Sequence, residues 1–131
     1  MAALDTNVVV RLLVGDDVAQ ALAAEQLVAS EPCTVSMSVL MECEWVLRAC
    51  YALQAAAIDA SFRDFLNLEN ISPADPVLAQ RVMDAYASGL DFADALHAAQ
   101  CPDGQRLMTF DKNFAKGARK AGLHGVSLLK S

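Results

Sequence analysis

The chain has 131 residues and is 55% hydrophobic, enough apolar side chain for one packed domain and too much for a disordered segment. Sixteen acidic against ten basic residues give a net charge of −6, which excludes a uniformly basic coat for binding a polyanion. The opening MAALDTNVVVRLLVGDD lacks the basic start and small-residue cleavage site of a signal peptide. Asp5 and Arg11 also break it well short of a membrane span, so a cytoplasmic protein without a membrane segment is expected.

In chain order, MAAL suits a short central strand, and the apolar DTNVVVRLLV follows with an Asp-Thr-Asn start that suits a turn or a helix cap. A second helix restarts after Gly15 at Asp16 and Asp17 and runs to about Ser30. Glu31-Pro32 marks a break, and Cys33-Thr-Val-Ser is a strand candidate. In SVLMECEWVLRAC the apolar positions 39, 43, 46, 47 and 50 follow the helical period. A further helix is expected over Leu53–Leu68, a weak strand at LENIS, and a helix from Pro73-Ala-Asp-Pro76 to about Ser88 ended by Gly89. DFADALHAAQ reads as a helix, QRLMTF as a strand, KNFAKGARKAG as a helix ending at Gly122, and VSLL as a last strand. Strands alternating with helices predict one α/β domain over residues 1–131 around a mainly parallel sheet.

Charge is unevenly spread. Residues 1–100 hold four basic and fourteen acidic side chains, whereas 101–131 hold six basic and two acidic. Lys112, Lys116, Arg119 and Lys120 recur at helical spacing, a face that suits a polyanion and equally suits an ordinary solvated surface. The four cysteines show no CxxC and no zinc-finger spacing to His, so reduced core thiols are expected, with Cys43 and Cys50 on one helix face.

In a parallel α/β sheet, ligands bind beyond the carboxyl ends of strands, where Asp5 and Asp111 stand. Each equally suits a helix cap. Glu42 falls on the margin of the apolar stripe and is expected in half-buried space, whereas Glu44 and Arg48 are expected to pair on the outer surface. Asp91 suits an N-cap and Asp94 the first turn after it. His97 is a helical neighbour of Asp94, and His124 has no acidic neighbour. Neighbouring carboxylates repel unless protonated or bridged by a cation, and an all-oxygen cluster suits Mg²⁺ or Mn²⁺. Grouping Asp5, Glu42, Asp94 and Asp111 therefore points to metal-assisted phosphodiester hydrolysis.

The segments DTNVVVRLLVGDD, SVLMECEWVLR, GLDFADALHAA and LMTFDKNF, in this order, resemble the PIN-domain ribonucleases, particularly the VapC-type toxins of type II toxin-antitoxin systems. The resemblance implies a three-layer α/β/α fold with a five-stranded, mainly parallel sheet, and a Mg²⁺-dependent endoribonuclease in which Mn²⁺ can substitute. It also implies an RNA substrate, a homodimer and a cognate antitoxin. It places the family's acids on Asp5, Glu42, Asp94 and Asp111. Asp5 and Asp94 stand as principal metal ligands, Glu42 as ligand or water-positioning base, and Asp111 as a second-metal or outer group. Thr6, Asn7, Ser38 and Thr109 resemble residues that hydrogen-bond those acids or the phosphate. The chain departs from the pattern at Asn113, where many relatives carry another acid. A haloacid-dehalogenase reading needs a second aspartate where Asn7 stands. The remaining alternative is a non-catalytic RNA- or protein-binding module on the same scaffold.

Overall fold

Short apolar strands separated by amphipathic helices form throughout the computed structural model, which describes Met1–Ser131. The order is β1 (Ala2–Ala3), α1 (Thr6–Val14), α2 (Val18–Ser30), β2 (Cys33–Val35), α3 (Met37–Ala49), α4 (Ala55–Leu66), β3 (Ile71–Pro73), α5 (Pro76–Ala87), α6 (Phe92–Gln100), β4 (Leu107–Thr109), α7 (Lys112–Lys120) and β5 (Val126–Leu128). Contacts divide the chain into two compact units, Met1–Pro76 and Val77–Ser131.

In the first unit β1, β2 and β3 make a parallel ladder in that order, with Ala2 beside Cys33 and Cys33 beside Ile71. Pro73 lies on the edge strand β3, where a missing N–H does not interrupt a central ladder. Gly15 ends α1 at φ 70° and donates its N–H to the Arg11 carbonyl, a left-handed turn that a Cβ would disfavour. Leu40, Leu47, Ile58 and Phe62 are almost completely buried, each burial stabilising the fold by about 1.5–3 kcal/mol.

Helix α3 is rotated from the expected orientation. Its buried positions are Met37, Leu40, Cys43, Glu44 and Leu47, whereas Val39 and Val46 are half-buried and Cys50 is exposed. This face follows the i, i+3, i+4, i+7 spacing from Leu40, so Glu44 turns inward and Glu42 outward. All four cysteines are free, but only Cys33 and Cys43 belong to the core.

In the second unit β4 and β5 form a parallel pair, Leu107 beside Val126 and Thr109 beside Leu128. Helix α5 starts on Pro76, whose fixed φ suits a first helical position and whose missing N–H costs nothing there. Tyr86 and Phe92 meet edge to face with ring centroids 5.2 Å apart, joining the end of α5 to the start of α6. The α/β class holds, and the strands pair in parallel within two ladders, one of three strands and one of two. The strands are only two or three residues long, so each ladder consists of a few hydrogen bonds and ends with them. No helix is long and apolar enough to cross a membrane.

Candidate active site

The acids expected from the sequence occur as two pairs, one in each unit. Asp5 stands between β1 and α1 in extended backbone, and its Oδ1 accepts the Thr6 N–H at 2.8 Å as the α1 cap. That bond uses one carboxylate oxygen and leaves Oδ2 for a ligand. Asp5, Thr6, Asn7 and Glu42 line an open pocket of about 610 Å³, whose further wall includes Val10, Arg11, Val46, Cys50 and Tyr51. Glu42, Val46 and Cys50 reach it together because residues four apart form one ridge of α3.

Cys43 reports on the closeness of this pair. Burial, and then the charges of Glu42 and Asp5, push its thiol up to about 12. Its S–H donates to the Thr6 carbonyl at 3.7 Å, so at neutral pH it is a packed thiol and no nucleophile. Glu42 itself is exposed, correcting the half-buried position expected for it. The surface pair expected of Glu44 and Arg48 is also corrected: Glu44 is 4% exposed, and Arg48 spans both its oxygens with Nε at 3.0 Å and Nη2 at 3.3 Å. Such a fork satisfies a buried carboxylate that would otherwise be costly.

In the second unit Asp91 caps α6 by accepting the Asp94 N–H at 3.1 Å, which puts Asp94 half-buried in the first turn. Asp111 caps α7 by accepting the Phe114 N–H at 3.0 Å, and its own N–H donates to Thr109 Oγ1 at 3.0 Å. Asp91, Asp94, Asp111, Asn113 and Lys120 line a pocket of about 320 Å³. Burial, and then the charges of Asp91 and Asp111, raise the Asp94 carboxyl from its ordinary value, while His97 acts the other way. His97 is exposed and outside this lining.

The structure thus joins Asp5 with Glu42 and Asp94 with Asp111. Neither unit by itself gathers three His, Cys, Asp or Glu side chains into a group that could hold a metal. Asn7 reaches the first pocket, whereas Ser38 bonds the Ser36 hydroxyl at 3.0 Å and lines neither pocket. Thr6 contributes its backbone to Asp5, and Thr109 its hydroxyl to the Asp111 backbone. The basic residues Lys112, Lys116, Arg119 and Lys120 are exposed on α7, opposite the buried Phe114 and Ala118.

Sequence reasoning missed Arg11 and Tyr51. The Tyr51 hydroxyl donates to Asp16 Oδ2 at 2.8 Å, Arg11 Nη1 donates to Asp16 Oδ1 at 3.3 Å, and Arg11 Nε donates to Gln20 Oε1 at 2.7 Å. No spacing rule relates Tyr51 to a turn lying before α2. The helical spacing of Val46 and Cys50 from Glu42 was the one available signal for that wall.

A model of the PIN domain family matches residues 2–120. The chain belongs to the PIN domain family. The match extends into both units and includes every acid of the two pairs. PIN domains are generally a nuclease fold, commonly use divalent metals, and their chemistry points to RNA as the bound polymer. No curated protein and no solved structure matches this PIN domain.

Proposed function

We propose that this PIN domain is a Mg²⁺-dependent endoribonuclease whose catalytic acids are Asp5, Glu42, Asp94 and Asp111. The observation that carries the reading is the pocket that Asp91, Asp94 and Asp111 line together, where burial and then the charges of Asp91 and Asp111 oppose the ionisation of Asp94. A hard divalent cation would relieve that repulsion, and the donors are all carboxylate oxygens of the kind Mg²⁺ and Mn²⁺ accept. The residues therefore fit the metal by donor chemistry.

The segment resemblance supports Asp5 and Asp94 as metal ligands, Asp5 through the oxygen not spent on its cap, with Asp111 beside Asp94 at the α7 N-terminus. Bound there, the cation supplies a lowered pKa for water and an offset for charge on the phosphate. Glu42, exposed and beside Asp5, orients the attacking water and takes its proton. Asn7 and Lys120 present donors for phosphate oxygens, and the α7 cations attract the chain of the RNA. The segment resemblance supports a toxin role, with a homodimeric, cytoplasmic enzyme inhibited by a cognate antitoxin.

The test is cleavage of single-stranded RNA with Mg²⁺ or Mn²⁺ by wild type, Asp5→Asn and Asp94→Asn. Each substitution is expected to lower cleavage at least about 100-fold. Undiminished cleavage by both overturns the site, and no cleavage by freshly metal-loaded wild type favours the binding module. For the toxin role, expression is expected to arrest growth in a way that Asp94→Asn relieves; arrest by both proteins alike would count against it.

A further inference from the structure

We infer that the Tyr51 ring is a stacking platform for one nucleobase of the RNA, beside the nucleotide whose phosphate is cut. This rests on the ribonuclease reading and adds to it a residue that positions the substrate. The pocket that holds Asp5 and Glu42 is more than an acidic patch. At about 610 Å³ it lies within the about 300–1,000 Å³ usual for sites that enclose a small ligand, and Val10, Val46, Cys50 and Tyr51 supply an apolar side. The acids of the lining suit the scissile phosphate with its cation, whereas its apolar and aromatic side chains suit a base.

The hydrogen bonds around Tyr51 indicate how the base would be held. Its hydroxyl is committed to Asp16, and Asp16 is in turn held by Arg11, whose Nε is fixed by Gln20. The phenol is therefore anchored at its polar end, and the ring face is what remains for a ligand. An immobilised ring loses little further entropy on stacking, which favours binding. Arg11 is the one cation lining this pocket and gives the RNA backbone a favourable charge next to the platform. Recognition by a ring face tolerates any base, so the platform contributes affinity and register with little sequence preference.

The experiment is equilibrium binding of short single-stranded oligoribonucleotides to full-length Asp94→Asn protein, in which cleavage is suppressed. It is repeated after adding Tyr51→Ala, Tyr51→Leu or Tyr51→Phe, and with RNAs carrying one abasic position moved along the strand. Tyr51→Ala and Tyr51→Leu are each expected to weaken binding about 5- to 100-fold, while Tyr51→Phe stays within about threefold of the parent. One abasic position should reproduce the loss in the parent and add nothing to Tyr51→Ala. In the cleaving protein the same substitution should act mainly on KM. Equal losses for Phe and Ala, additive losses for Ala and every abasic position, or no RNA binding by the parent would overturn the platform. Leu preserves the bulk of the wall, so the comparison survives if Ala fails to fold. Absence of cleavage by metal-loaded wild type would overturn the nuclease reading separately, since binding is read without catalysis.

Discussion

The phenol of Tyr51 donates to an ionised carboxylate, and this bond raises its pKa above the ordinary value of 10.0, with Arg11 partly offsetting the effect. A raised folded-state value means that the bond's contribution to stability is complete below the unfolded value and disappears as pH rises through the folded one. Wild type is therefore expected to be more stable than Tyr51→Phe at neutral pH, with the difference shrinking above about pH 10. Denaturant unfolding of both proteins from pH 7 to 11 checks this, and a constant difference would contradict it. The same scale explains two glutamates on α3. Glu42 and Glu44 are two positions apart, about 200° around a helix, so one enters the core as the other faces solvent. A wheel drawn from apolar residues alone assigned them the other way round. Arg48 supplies the reason, because a bidentate guanidinium lets the buried face include a carboxylate.

At the scale of elements, Asp5 and Asp111 stand at helix N-termini, Asp94 in the first turn of α6 and Glu42 within α3. Asp5, Asp91 and Asp111 each accept a backbone N–H of the helix that follows with one carboxylate oxygen, which leaves the other oxygen outside the cap. Capping and the proposed catalytic role separate experimentally at Asp111. Asn is as good a cap as Asp but carries no charge, so Asp111→Asn should retain thermal stability while losing activity. Asp111→Ala should lose activity and about 1 kcal/mol of stability as well. Urea unfolding alongside RNA cleavage measures both, and full activity in Asp111→Asn would reduce this residue to a cap. Each element was legible as helix or strand in the sequence, because caps, Pro76, Gly15 and Gly89 punctuate the pattern. Boundaries shifted by a few residues: the helix expected over 53–68 spans Ala55–Leu66, and MAAL pairs only through Ala2 and Ala3. Strand length was not legible, since an apolar run does not state how many of its residues find a partner.

For the whole molecule, the decisive quantity is unneutralised charge. Asp94 carries a raised pKa, so its contribution to stability is present below the unfolded carboxylate value and lost as pH rises through the folded one; at neutral pH its charge opposes folding. Without metal, Asp94→Asn is expected to melt above wild type at pH 7. The gain should be less than about 1 kcal/mol because the side chain is largely solvated and screened. Mn²⁺ should raise the Tm of wild type, by about 2.7 kcal/mol in stability at a hundred times its Kd, and should leave Asp94→Asn and Asp5→Asn nearly unchanged. A metal response in Asp5→Asn equal to that of wild type would confine the cation to the Asp94 pair. A response in both variants would remove it from these acids altogether.

The sequence by itself determined the α/β class, the helix caps, the identity of the paired acids and the basic face of α7. These are consequences of local chemistry: side-chain period, backbone capping and charge spacing act within a few residues. Tertiary structure alone decided that Glu44 is buried and Glu42 exposed, that the parallel strands form ladders of three and two, and that Tyr51 and Arg11 share the pocket of Asp5 and Glu42. Those outcomes depend on contacts between residues far apart in the chain, as in the bond from Tyr51 to Asp16. The pairing of the acids lies between the two: their chemistry is local, but the proximity of Asp5 to Glu42 and of Asp94 to Asp111 exists only once the chain has folded.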